Sequence, residues 1–154
     1  MSVLKRMFLA ACLLANAAVP GVSLGAQISK PNVVVILADD LGFADVGFNG
    51  GKEIKTPNID KLAASGARLE QFYVQPLCSP TRAALMTGRY PMRQGLQTGV
   101  VRPWAKHGLP LDERTLPQAL KEVGYATAIT GKWHLGHFQP EYLPTRRGFD
   151  FHQT

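Results

Sequence analysis

Asn32-Val33-Val34-Val35-Ile36-Leu37-Ala38 is an unbroken apolar, largely β-branched run, and it ends on two carboxylates, Asp39 and Asp40. A strand wetted on one face alternates apolar with polar residues, whereas a strand without alternation is covered on both faces, as in a parallel sheet flanked by helices. The run therefore predicts a buried strand over 32–38 with Asp39 and Asp40 at its C-terminal end. Downstream, helical and extended signals alternate. Thr56 as N-cap, Pro57 in the first turn and Gly66 as stop bracket a short helix, and residues 67–74 alternate enough to form a strand. A second helix opens near Ser79-Pro80 and ends at Gly88. A third runs from about Leu116 to Val123, between Thr115 and Gly124, and leads into a strand from Tyr125 to Thr130. Gly131-Lys132-Trp133-His134-Leu135-Gly136 follows it. This order predicts an α/β fold with a mostly parallel sheet flanked by helices. Sites in such sheets gather beyond the C-terminal strand ends, where both the paired aspartates and the Lys132/His134 loop fall. Residues 89–114 read as loop, and neither internal repeats nor low-complexity linkers interrupt the chain.

At 154 residues the length suits one modest domain. Few strands are assembled by Thr154 and no helix closes the fold, which reads as the N-terminal part of a larger, truncated domain. The first 26 residues differ from the rest. Lys5 and Arg6 precede an apolar run from Met7 to Val19, and small residues follow at Ser23, Gly25 and Ala26. That is a secretory signal, with residues 27–154 as the mature segment; the run falls short of the ~20 residues a membrane-spanning helix needs. Export to the periplasm, the extracellular space or a eukaryotic secretory or lysosomal compartment is expected, without a stable membrane span. Leu9-Ala10-Ala11-Cys12 also resembles a lipoprotein box, although the apolar stretch before it is short for one. Without Lys5 and Arg6 the mature piece keeps an excess of four basic residues, which suits an anionic substrate. No Lys/Arg block interleaved with aromatics points to nucleic acid. With Cys12 removed, Cys78 is the only thiol left, and an unpaired cysteine in an exported protein marks a reactive or modified group; by itself it would more often be a small buried apolar residue.

The chemistry concentrates at three places. Two adjacent carboxylates at a strand end repel each other unless a cation sits between them, and hard oxygen ligands suit Ca²⁺, with Mg²⁺ second; a solvated turn is the plainer reading of such a pair. In Leu77-Cys78-Ser79-Pro80-Thr81-Arg82, Pro80 suits a first helical turn, so Cys78 sits near the positive end of the helix dipole and Arg82 returns to the same face. A fixed guanidinium there can hold an oxyanion. Lys132 and His134, two apart, can point the same way, one supplying charge and the other a directional donor. Alone they would read as an exposed loop pair. His107, His137 and His152 read as ordinary loop residues, and Trp133 as packing.

Cys78-Ser79-Pro80-Thr81-Arg82 resembles the C-x-P-x-R signature of the sulfatases, and Ala83-Ala84-Leu85-Met86-Thr87-Gly88-Arg89-Tyr90 continues it. The stretch from Gly124 to Gly136 resembles the family's second signature. Leu109-Pro110-Leu111-Asp112-Glu113 and Leu143 to Asp150 look most like the arylsulfatase B branch. The resemblance runs from about Pro31 to the end. It implies an alkaline-phosphatase-like α/β fold and a sulfuric ester hydrolase acting on aryl or carbohydrate sulfates. It also implies that a formylglycine-generating enzyme oxidises Cys78 to formylglycine, whose hydrate attacks sulfur through one hydroxyl and expels sulfate through the other. Asp39, Asp40 and residue 78 match Ca²⁺ ligands, Arg82 matches the residue that steadies the hydrate, and Lys132 and His134 match sulfate-binding positions. The family completes its metal site with an Asp-Asn pair, and its sulfate pocket with another His and Lys, beyond residue 154, so residues 27–154 alone are expected to be inactive. Two other readings stand beside this one: a related metal-dependent phosphatase or phosphonate-ester hydrolase, and a non-catalytic exported binding protein or decayed pseudoenzyme.

Overall fold

A computed structural model describes residues 30–154, so the signal expected over 1–26 and Cys12 lie outside the described residues. The chain divides into two units, one ending at Leu37 and the other running from Ala38 to Thr154. In the first, residues 30–37 form neither helix nor strand, and Val33 to Ile36 are 57–83% exposed. The strand expected over 32–38 is therefore absent. A β-strand exists through its ladder to neighbours, and among the described residues none pairs with this run.

The second unit holds three helices, α1 (Pro57–Ser65), α2 (Cys78–Thr87) and α3 (Leu116–Glu122), several single 3₁₀ turns, and two strands, β1 (Ala128–Thr130) and β2 (Phe151–Gln153). The strands pair in parallel, Ala128 with Phe151 and Thr130 with Gln153. All three expected helices are present to within a residue or two at each end. The strand expected over 67–74 is not, and the one expected over Tyr125 to Thr130 shrinks to three residues. The sheet is thus parallel, as expected, but two strands wide among the described residues.

Local chemistry explains the helices. At α3, Thr115 and Gln118 form a capping box in which the Thr115 backbone N–H donates to Gln118 Oε1 at 2.8 Å, satisfying otherwise orphaned helix-end groups. Gly88 ends α2 in the left-handed conformation at φ 66°, and its N–H donates to the Ala84 carbonyl at 2.8 Å, an arrangement that glycine adopts without a Cβ penalty. At α1, Thr56 occupies the N-cap position, but its hydroxyl donates to Asp60 Oδ1 (3.0 Å) and accepts from the Gly47 N–H (2.8 Å), tying the helix to the preceding turn.

The core comprises Ala83, Leu96, Val101, Ala105, Leu109, Trp133, Leu135 and Phe149, with Met86 and Ile129 packed against it. Half of these eight come from the 89–114 segment, whose irregular path carries no helical or strand period. Trp133 packs edge-on to Phe149 with ring centroids 6.1 Å apart and donates from its indole N–H to the Tyr142 carbonyl at 2.9 Å, which confirms it as a packing residue. Gly108 lies so close to the 135–136 backbone that a Cβ would stand 2.3 Å from the Leu135 carbonyl oxygen. Its N-terminal and C-terminal neighbours can follow the site loop only because that side chain is missing. The buried Arg147 guanidinium donates to the carbonyls of Pro110 (2.9 Å), Leu111 (3.0 Å) and Glu113 (2.9 Å). Three carbonyls at ordinary hydrogen-bond distance offset the cost of burying that charge.

Candidate active site

Helix α2 sets the position of the thiol. Leu77 is extended (φ −138°, ψ 151°) and Cys78 is the first helical residue, with the Thr81 N–H already donating to the Leu77 carbonyl at 3.1 Å. Cys78 is half-buried and unpaired, at the end of the helix where the aligned peptide dipoles amount to about half a positive charge. Arg82, one turn on and 9% exposed, donates to the Lys132 carbonyl and, at 3.3 Å, to Asp39 Oδ1. Lys132 Nζ donates to Asp39 Oδ2 at 2.8 Å and lies 3.3 Å from Cys78 Sγ. Asp39, Asp40 and Cys78 each present a ligand atom within 4.8 Å of the other two. Asp40 holds a left-handed backbone at φ 57°, a conformation that aspartate tolerates better than most residues.

Charges in this cluster reinforce one another. The hydrogen bond from Lys132 is the main reason that the Asp39 carboxyl is held below its ordinary range, against a smaller desolvation effect. The same bond raises the Lys132 ammonium. Both groups therefore stay ionised around neutrality, leaving a fixed cation beside the thiol.

His134 enters differently from Lys132. Its backbone is left-handed at φ 59°, a conformation that costs an L-residue about 1–2 kcal/mol, so the loop is not extended there. His134 Nε2 faces the Val101 carbonyl at 2.9 Å. A carbonyl only accepts, so Nε2 carries the proton, and burial holds the imidazole below its ordinary pKa. In the neutral ring Nδ1 is then an acceptor, buried and without a partner among the described residues. The directional donor expected of His134 is spent on Val101, and what remains is a proton acceptor.

The structure brings Asp39, Asp40, Cys78, Arg82 and Lys132 together directly, and it ties His134 in through the main chain. Ser79, fully buried next to the thiol, donates from Oγ to the His134 carbonyl at 2.7 Å and accepts from the Val101 N–H at 3.0 Å. Sequence reasoning gave Ser79 and Val101 no role. A serine between a cysteine and a proline carries no signal beyond helix initiation, and Val101 contributes only backbone atoms.

The donor set suits a hard divalent cation on one condition. Two carboxylates and a thiol mix hard and soft ligands; with residue 78 oxidised to an oxygen-bearing side chain all three are hard oxygens, the set that Ca²⁺ takes.

The chain belongs to the sulfatase family: the family profile described as Sulfatase matches residues 31–153. Over 125 residues it is 55% identical to arylsulfatase J of Mus musculus, covering 81% of this chain and 21% of that protein. It is 53% identical over 127 residues to arylsulfatase A of Bos taurus, covering 80% and 25%. A solved structure of Ps i-CgsB in complex with k-i-k-neocarrahexaose superposes with a TM-score of 0.75 at 49% identity, over 79% of this chain and 27% of that one. The chain thus spans about a quarter of the length of these relatives.

Proposed function

We propose that the protein is a sulfuric ester hydrolase whose nucleophile is the formylglycine hydrate made from Cys78 by a formylglycine-generating enzyme. The observation that carries this reading is the seating of Cys78 at the start of α2, with Lys132 Nζ 3.3 Å from its sulfur and Asp39 and Asp40 beside it. Ca²⁺ held by Asp39, Asp40 and an oxygen of residue 78 would supply Lewis-acid stabilisation of charge on the sulfate oxygens; Mg²⁺ fits these ligands less well. Among the described residues these three are the whole carboxylate and residue-78 ligand set, against the six to eight oxygens Ca²⁺ takes, so residues 27–154 alone should be inactive.

This chain's own side chains then have separable tasks. Lys132 places a point charge against the sulfate, and the α2 N-terminus adds its unpaired N–H groups. Arg82 fixes Asp39 and the Lys132 backbone in one frame. His134 Nδ1 can accept a proton from a hydroxyl on residue 78.

Carbohydrate sulfates are the favoured substrate class, because the ligand of the related Ps i-CgsB structure is an oligosaccharide; aryl sulfates are the convenient assay. Membership of the arylsulfatase B-like branch rests on the resemblance of segments 109–113 and 143–150, which Arg147 joins through the Pro110 and Leu111 carbonyls. Export follows from residues 1–26, and N-terminal sequencing should find the mature chain starting near Ala26 or Gln27; a start at Met1 would refute it.

Turnover of paired aryl esters tests the reaction class. The complete gene product, matured in a competent host, should hydrolyse the sulfate monoester at least about tenfold faster in kcat/KM than the matching phosphate monoester or phosphonate ester, a difference of about 1.4 kcal/mol in transition-state binding. A preference for phosphate would favour the metal-dependent phosphatase reading.

A further inference from the structure

We propose that Ser79 is a positioning residue for His134, and through it for the hydroxyl chemistry at residue 78; this rests on the sulfatase reading above. Ser79 is fully buried, and its one hydroxyl closes a ring of contacts. Oγ donates to the His134 carbonyl at 2.7 Å and accepts from the Val101 N–H at 3.0 Å, and His134 Nε2 donates back to the Val101 carbonyl at 2.9 Å. Both backbone groups of Val101 are thereby fixed against the two residues. Three consequences follow. The Ser79 bond holds the His134 peptide in its left-handed conformation at φ 59°, one that residues with a Cβ seldom adopt. The Val101 carbonyl dictates which ring nitrogen carries the proton, leaving Nδ1 as acceptor. And because Ser79 adjoins Cys78 in α2, the imidazole is referenced to the same helix turn that carries the nucleophile, rather than to a loop that moves independently of it.

Removing the hydroxyl strands the Val101 N–H in a buried place and releases the His134 carbonyl, since an alanine offers neither donor nor acceptor. The expected result is a misplaced imidazole at an otherwise complete site. Small displacements of a catalytic group lower the chemical step more than binding. Lys132, the α2 N-terminus and the paired aspartates are left in place, so substrate binding should change little.

The test uses the complete gene product with Ser79→Ala, Ser79→Cys and Ser79→Thr, each assayed on an aryl sulfate and normalised to the formylglycine content at position 78. Ser79→Ala and the similarly sized Ser79→Cys should lose at least about tenfold in kcat with KM within about threefold of the parent, and Ser79→Thr, which keeps the hydroxyl, should recover most of that loss. Should Ser79→Ala fail to fold, Ser79→Cys decides. Parent-like kcat per formylglycine in the alanine or cysteine variant would overturn the assignment, as would a loss confined to KM or a threonine variant as impaired as alanine. An inactive parent, by contrast, would count against the sulfatase reading and not against Ser79.

Discussion

Replacing Cys78 with alanine is expected to lower sulfate-ester turnover by the complete gene product by at least about three orders of magnitude, with little change in folding. Removing the nucleophile of a covalent mechanism leaves only the binding and electrostatic parts of catalysis, a loss of the size seen when other nucleophiles are deleted. Folding should survive because Cys78 is only half-buried, makes no disulfide among the described residues and lies outside the apolar core. Cys78→Ser discriminates further. A serine hydroxyl can attack sulfur, but it lacks the second hydroxyl that expels sulfate, so this variant should be equally slow in turnover and should accumulate covalently bound sulfate. Initial-rate assays with intact-mass measurement read both outcomes. Alanine-variant activity within tenfold of the parent would mean that the reaction proceeds without residue 78.

The second large effect is expected at Asp39. Its two carboxylate oxygens accept from different cations, Oδ2 from Lys132 at 2.8 Å and Oδ1 from Arg82 at 3.3 Å, and it also belongs to the three-residue ligand cluster. Asp39→Asn keeps the shape and removes the charge. Two cations then face each other without their common counter-ion, the bond that raises the Lys132 ammonium is weakened, and one hard anionic ligand is lost. Activity should fall by at least about a hundredfold, the range in which removal of one electrostatic contributor falls, and the Ca²⁺ concentration for half-maximal activity should rise by at least about tenfold. The Asp40→Asn variant should shift Ca²⁺ dependence in the same direction. Because Asp40 takes no bond from Lys132 or Arg82, the Lys132 frame should survive better there. A Ca²⁺ titration of activity, paired with calorimetric Ca²⁺ binding, checks both; an Asp39→Asn enzyme with unaltered Ca²⁺ dependence would remove Asp39 from the metal site.

Much of the site was legible because its chemistry is local in sequence. Cys78, Pro80 and Arg82 declare a helix start with an anion-facing turn, and the helix appears from Cys78 to Thr87. Gly88 and Thr115 likewise mark helix ends, one through its left-handed backbone and the other through its side-chain cap. Strands were read less well. The apolar run 32–38 and the alternating 67–74 declare only a willingness to be buried, and pairing partners decide whether a strand forms. The 89–114 segment is loop, as read, yet it supplies core residues that no period announces: Leu96, Val101, Ala105 and Leu109 are spaced by turns, with neither the helical nor the strand period. The acceptor role of His134 was out of reach for the same reason, since it follows from a backbone carbonyl 33 residues away. Backbone atoms leave no trace in residue identity.

The central claim is that residue 78 works as an aldehyde-derived diol rather than as a thiol, and the mass of the tryptic peptide Leu69–Arg82 tests it most directly. The complete gene product should be expressed in a host that has the formylglycine-generating enzyme, digested without prior thiol alkylation, and the peptide compared with the same material treated with a hydrazide probe. The account predicts a peptide in which the Cys78 sulfur has been replaced by aldehyde oxygen, which the hydrazide captures. A peptide carrying only free thiol at Cys78, alkylated to carbamidomethyl-cysteine when iodoacetamide is added and inert to the hydrazide, would contradict it and leave the chain as an unmodified member of the family.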